Sequence, residues 1–221
     1  MEIQTPSPVI IYYTCWDMES QSSHVLLKDA VFRYCQGPCM PEGRKLIHYD
    51  DTEDAFTIMK GSHGKPYIRE YPHIHFSISH SGSFWACAIY NQEVGLDLQK
   101  TDVRNWERLP GRFFHPDECL WMEGRTREDF CRLWAFKESY VKFNGKGLSQ
   151  ELSSFSVISK DTLSLSGAPE VCQREISFPD PDYALVVTTK RPARYRLHGS
   201  LSNHSSTPCS LRIASVSSTS S

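Results

Sequence analysis

The chain carries almost no net charge, opens without a basic segment and shows no long apolar run at its start. Lys and Arg number 24 against 26 Asp and Glu, a formal net charge of -2, so no general electrostatic pull draws it to nucleic acid or anionic lipid. Any affinity for a phosphorylated ligand must come from local placement of Lys, Arg and His. The first apolar run, Val9 to Tyr13, is too short for a signal-peptide core or a membrane span. No membrane partner is expected, and the cytoplasm is the expected compartment. Eight cysteines are scattered along the sequence, and without a secretory context they read as reduced thiols rather than a disulfide framework. Cys35 and Cys39 with His73 and His75 lack the close ligand pairs of a usual zinc site. No clear internal repeat is visible.

What is present fits a soluble enzyme. The 221 residues are 23% charged and 39% apolar, ordinary for a globular protein and enough for one large domain or two small halves. Val9–Tyr13 reads as a strand. Ser23–Gln36 reads as a helix capped by Ser22 or Ser23 and stopped by Gly37-Pro38. His75 to Ser79 alternates, and with the runs Phe84–Tyr90 and Glu93–Leu98 it predicts an antiparallel meander over 75–98, turning at Ser81-Gly82-Ser83 and Asn91-Gln92. Val103 to Phe114 is expected to begin helical, and His115-Pro116-Asp117-Glu118 opens a further helix with Pro in its first turn. A long helix follows from Glu128 to Asn144. Phe155–Ile158, Glu175–Phe178 and Ala184–Thr189 then predict strands of a second sheet, giving an α+β arrangement of two mixed halves, 1–90 and 91–190. From Arg191 no acidic residue occurs, and ten serines fall between Ser200 and Ser221. Such a segment buries too little apolar surface to offset its ordering entropy, so 191–221 is expected to be a disordered tail.

The chemistry concentrates in three polar elements. The run Trp134-Ala135-Phe136-Lys137-Glu138-Ser139-Tyr140-Val141-Lys142 leads into Phe143-Asn144-Gly145-Lys146-Gly147-Leu148. On a helix Trp134, Glu138, Val141 and Lys142 share a face, which sets an acid and a base one turn apart. Alone, that pair is a common surface ion pair worth about 0.3–0.5 kcal/mol. Upstream stand Val94-Gly95-Leu96-Asp97-Leu98-Gln99 and Phe76-Ser77-Ile78-Ser79-His80-Ser81. Three such elements in this order suggest a site for a metal and a phosphorylated ligand.

Their order and wording resemble the Sfp-type 4'-phosphopantetheinyl transferases. That family shows Ser-His-Ser at a strand end, then Gly-x-Asp-x-Glu, then Trp-x-x-Lys-Glu-x-x-x-Lys running into Gly-x-Gly-Leu. Here the counterparts are Ser79-His80-Ser81, Gly95 to Gln99 and Trp134 to Leu148, and Gly64-Lys65-Pro66 also fits. The resemblance runs from about Gly64 to Ser156. It implies a pseudo-twofold pair of α/β halves with the active site between them. It also implies transfer of the phosphopantetheine arm of coenzyme A to a serine of an apo acyl or peptidyl carrier protein, with release of adenosine 3',5'-bisphosphate. Mg²⁺ is the implied cofactor, a monomer the implied state, and secondary metabolite biosynthesis the implied setting.

The resemblance also distributes roles. Asp97 and Glu138 offer carboxylates to the metal, with Gln99 as a weaker ligand. Glu138 is the candidate base and Lys142 the group that reaches the α-phosphate. Ser79, His80, Lys65, Lys137 and Thr101 would meet coenzyme A, although Lys137 points about 100° away from Glu138 on an ideal helix. Two departures stand out. Gln99 replaces the commoner Glu, and an amide oxygen brings no charge. Thr14 to His24 contains no Lys or Arg, where relatives carry a basic segment; Arg44 and Lys45 are candidates to substitute. Arg104, Arg108, Arg112, Phe113 and Phe114 form a basic and aromatic cluster for an acidic carrier domain. The departures motivate an alternative, a degenerate relative that binds coenzyme A or carrier without turnover. A two-metal phosphodiesterase fits worse, because His73 and His75 stand apart from any acidic pair.

Overall fold

The computed structural model describes residues 7–17, 19, 21–37 and 56–199, with Leu148 described by its backbone alone. The chain runs through β1 (Val9–Cys15), α1 (Ser23–Gln36), β2 (Ile58–Lys60), β3 (Pro66–Ile68), β4 (His75–Ser81), β5 (Phe84–Tyr90) and β6 (Val94–Lys100). Two short helices, α2 (Pro110–Phe113) and α3 (Pro116–Trp121), precede the long α4 (Arg127–Asn144). The last strands are β7 (Ile158–Ser159), β8 (Thr162–Leu163), β9 (Cys172–Ile176), β10 (Tyr183–Thr189) and β11 (Tyr195–Gly199). The arrangement is α+β. No helix among the described residues is long and apolar enough to cross a membrane. No disulfide joins the described cysteines.

Two sheets carry the fold, ordered β11-β1-β5-β4 and β6-β10-β9. Period-two alternation explains how they stack. In β5, Phe84, Ala86, Ala88 and Tyr90 join one core cluster with Val94, Leu96, Leu98, Leu185 and Val187 of the second sheet. The intervening Trp85, Cys87 and Ile89 turn the other way, onto Leu27, Ala30, Val31 and Tyr34 of α1. The opposite face of β10, Ala184 and Val186, packs with Phe130, Leu133 and Phe136 of α4. The layers therefore run α1, sheet, sheet, α4. Strands buried on both faces read as continuous apolar runs, as β5 and β10 do here.

The expected meander from 75 to 98 holds only for its first two strands. β4 and β5 pair antiparallel, but β6 leaves that sheet and pairs with β10. It stays beside β4 through side chains instead. Leu96 N donates to Ser77 Oγ at 2.9 Å, and Lys100 N donates to Ser81 Oγ at 2.9 Å. Serines at alternate positions of β4 thus stand where backbone partners would be, and they mark a seam between the sheets.

The long helices follow local signals. Ser22 caps α1 by accepting from His24 N, and the Gly37 N–H closes its end on Tyr34 O. Thr126 and Asp129 form a reciprocal capping box at the start of α4, and Gly145 ends it at φ +70°. The segment Val103 to Phe114 is broken into a single 3-10 turn, Trp106–Arg108, and the short α2. The region after Arg191, expected to lack structure, pairs over Tyr195–Gly199 in parallel with β1. Tyr195 and Leu197 pack with the inter-sheet core, and this apolar pair supplies what the serine count concealed. Residues 200–221, and with them most of the expected tail, lie outside the described residues, as do Cys39, Arg44 and Lys45.

Candidate active site

Gly95, Asp97 and Gln99 occupy one face of β6, and that face meets α4. The two elements touch so closely at Gly95 that a Cβ there would lie 1.9 Å from the Ser139 carbonyl oxygen and 2.5 Å from Phe143 N. Only glycine lets helix and strand approach in this way. The contact sets Asp97 level with the turn of α4 that carries Glu138 and Lys142.

Asp97 is 5% exposed, and two donors converge on its Oδ1. Lys142 Nζ lies at 2.6 Å and Ser79 Oγ at 2.8 Å, while Lys142 Nζ also donates to Ser79 Oγ at 3.0 Å. A strand, a helix and the inter-sheet seam meet at one carboxylate oxygen. Glu138 is half-buried, and its carboxylate makes no hydrogen bond or ion pair with another described residue. Burial raises its pKa, the nearby Asp97 charge raises it further, and Lys142 partly opposes both. Two carboxylates that repel one another in a partly closed space form a natural receptor for a hard cation.

Glu138 and Lys142 also line a cavity of about 910 Å³. Its walls include the hairpin turn His63 to Pro66, Phe76 and Ile78 of β4, Arg112, Phe113, Trp134, and the segment Gln150 to Ser153. This lining is mainly apolar with a few charged groups, which suits a ligand that has both a polar head and a slender arm.

The remaining expected site residues fall into two groups. Ser79 and His80 sit beside the carboxylates. His80 is exposed and lies against Trp16, with ring centroids 4.5 Å apart; burial and the Lys142 charge lower its pKa, against Asp97. Gln99 follows Asp97 on the same face, but its Nε2 donates to the Lys100 carbonyl at 2.9 Å, leaving the amide oxygen as its acceptor. Lys65 lines the cavity with its stem, whereas its ammonium is held by Glu93 Oε2 at 2.6 Å, Phe143 O at 2.9 Å and Val94 O at 3.2 Å. It ties the hairpin turn to the end of α4. Thr101 Oγ1 donates to Asp182 O at 3.1 Å, and Thr101 does not line the cavity.

Lys137 requires correction. Expected among the coenzyme A contacts, it is 0% exposed and donates to both oxygens of Glu118, at 2.7 and 2.6 Å, and to Phe155 O at 2.7 Å. Glu118 also accepts from His115 N at 2.9 Å and Val157 N at 2.7 Å. The helical rotation that aims Glu138 at the cavity turns Lys137 into the core, where its charge needs a partner. Phe114 is also core, at 4% exposure, while Phe113 and Arg112 reach the cavity. Sequence reasoning passed over Glu118 as a helix-opening residue and missed Trp16, whose only local signal is aromaticity.

Comparison with known proteins agrees with this geometry. The 4'-phosphopantetheinyl transferase superfamily matches over residues 93–188, the span from β6 to β10. The chain is 35% identical over 160 residues to the 4'-phosphopantetheinyl transferase psf-1 of Bacillus pumilus, covering 68% of each. It is 36% identical over 138 residues to the 4'-phosphopantetheinyl transferase Sfp of Bacillus subtilis (strain 168), covering 59% of this chain and 61% of the relative. A vertebrate relative is the L-aminoadipate-semialdehyde dehydrogenase-phosphopantetheinyl transferase of Xenopus laevis, 31% identical over 118 residues, covering 45% of this chain and 38% of its own. The chain thus spans about three fifths of the length of the Bacillus subtilis relative. With Asp97, Glu138 and Lys142 inside residues 93–188 and 68% of each chain shared with the Bacillus pumilus relative, the chain belongs to the Sfp-type 4'-phosphopantetheinyl transferase family.

Proposed function

We propose that the protein transfers the phosphopantetheine arm of coenzyme A to a serine of an apo acyl or peptidyl carrier protein and releases adenosine 3',5'-bisphosphate. The observation that carries this reading is the convergence of Ser79 and Lys142 on Asp97, with Lys142 and Glu138 lining a 910 Å³ cavity. The names of its relatives support the reaction. In the reaction the serine oxygen bonds to the β-phosphorus as the bond to the departing bisphosphate breaks. Glu138 would take the serine proton, and burial beside the Asp97 charge raises its pKa, the direction a carboxylate base needs. Lys142 is long enough to follow negative charge onto the leaving group.

The donor set fits Mg²⁺. Asp97 and Glu138 would hold the ion, Gln99 would add a neutral amide oxygen, and substrate oxygens or water would complete its shell. Among the described residues no three His, Cys, Asp or Glu side chains converge, so a shared ion would draw on non-protein oxygens. When bound, Mg²⁺ supplies charge neutralisation on the pyrophosphate. Ser79 and His80 would meet the nucleotide end and the cavity would take the arm. Thr101 and the ammonium of Lys65 would take part only after rearrangement.

The reading extends to the whole molecule: halves 1–90 and 91–190, related by a pseudo-twofold, would meet at the β4–β6 seam. The protein would act as a cytoplasmic monomer on carriers of secondary metabolism, without nucleic acid or membrane partners. Arg112 and Phe113, which line the cavity, would be the part of the basic cluster that meets an acidic carrier. The test is intact mass spectrometry of an apo carrier protein incubated with the protein, coenzyme A and Mg²⁺. A gain of one phosphopantetheine arm supports transfer. No gain across several carriers while coenzyme A still binds supports the non-catalytic binder.

A further inference from the structure

Asp97 already has a cation. Lys142 Nζ stands 2.6 Å from Asp97 Oδ1, braced by Ser79 Oγ, which contacts both. The oxygen thereby has two donors in fixed directions, and its residue is 5% exposed. The Glu138 carboxylate, one helical turn from Lys142, is left without a hydrogen bond or ion pair among the described residues. A divalent ion taking the same Asp97 oxygen would have to displace that ammonium. The Lys142 side chain is 30% exposed and also lines the cavity. Its unbranched stem can swing towards that space when something there offers anionic oxygen.

We propose that Lys142 is the resident counter-ion of the carboxylate site in the free protein, so that a divalent cation binds Asp97 and Glu138 well only together with a pyrophosphate-bearing ligand that draws the ammonium away. The inference rests on the reading of Asp97 and Glu138 as the metal-holding pair. It adds that affinity for the ion and for the pyrophosphate is coupled through one side chain. Each ligand makes room for the other by relocating Lys142, and linkage requires the coupling to be reciprocal.

The test is Mn²⁺ binding to the full chain, read by loss of the free-ion paramagnetic resonance signal, with and without coenzyme A. The wild type is expected to bind Mn²⁺ weakly alone and more tightly once coenzyme A is added. Lys142→Met is expected to bind Mn²⁺ alone about tenfold more tightly than the wild type, a gain of about 1.4 kcal/mol, and coenzyme A should add less to it. Lys142→Arg, which keeps a cation on Asp97, should behave as the wild type. If Lys142→Met binds Mn²⁺ no better than wild type while coenzyme A still tightens the wild-type site, the counter-ion inference is overturned and the metal reading stands. If neither protein binds Mn²⁺ with coenzyme A present, or if Asp97→Asn binds it as the wild type does, the metal reading itself fails. Should Lys142→Met not fold, Lys142→Gln removes the charge but keeps a donor and carries the same comparison.

Discussion

Lys137→Met separates a structural lysine from a ligand-binding one. Its ammonium donates to both Glu118 oxygens and to Phe155 O, and the side chains of the pair are 0% exposed. Burial pulls the Lys137 pKa down, against the attraction of Glu118. Substitution leaves the Glu118 carboxylate in the core with two remaining donors, His115 N and Val157 N. Removing one partner of a buried pair costs about 3–5 kcal/mol, and the surviving donors place this case near the lower end, at about 3 kcal/mol. Against a domain stability of about 5–15 kcal/mol, that is a large loss. Urea unfolding followed by far-UV circular dichroism should show a lowered midpoint with an unchanged slope. Coenzyme A affinity of the folded fraction should not move. The double variant Lys137→Met with Glu118→Met should regain most of the stability, because it removes both charges. A loss below about 1 kcal/mol accompanied by much weaker coenzyme A binding would refute the reasoning and return Lys137 to the ligand.

Other outcomes follow from the same geometry. Asp97→Asn and Glu138→Gln should each reduce transfer by about 10²- to 10⁴-fold while circular dichroism stays native; near-normal turnover in either would remove the metal assignment. Gln99→Glu should leave turnover unchanged or raise it, most visibly at low Mg²⁺, and a marked loss would give the amide a role of its own. Gly95→Ala should cost about 1–3 kcal/mol or more by forcing α4 off β6 at Ser139, and turnover should fall with it; a thermal midpoint equal to wild type would contradict that contact. Glu93 is held at a pKa of about 2, first by its hydrogen bond from His75 and then by Lys65, against an ordinary value of 4.5. Its folded value is depressed, so its stabilisation is complete above pH 4.5 and is lost as pH falls towards 2. The gap in melting temperature between wild type and Glu93→Gln should accordingly be present at neutral pH and shrink across that window.

Much of this molecule is decided locally. Ser22 and Gly37 bound α1 and Gly145 stops α4, because caps and stops act through a residue's own backbone neighbours. The short turn at Gly82 joins the β4–β5 pair, and the i, i+4 spacing sets Glu138 beside Lys142 for the same reason. Three motifs in order, through their resemblance to a known family, were enough to name the family and to put forward Asp97, Glu138 and Lys142 as its site. What they could not decide is which surfaces meet. Whether β6 continues the first sheet or begins a second depends on partners far downstream, from Tyr183 to Thr189, and β10 outcompetes β4 by offering a full ladder and an apolar face. Tyr195–Gly199 looks unstructured until β1 provides an edge. Lys137 and Lys142 read alike as helical lysines; rotation of α4 against β6, set by the absence of a side chain at Gly95, buries one on Glu118 and delivers the other to Asp97. Local pattern determines which residues can act together along one element. Only the packing of elements decides which charges are placed in the core and which face the substrate, since burial depends on neighbours remote in the chain.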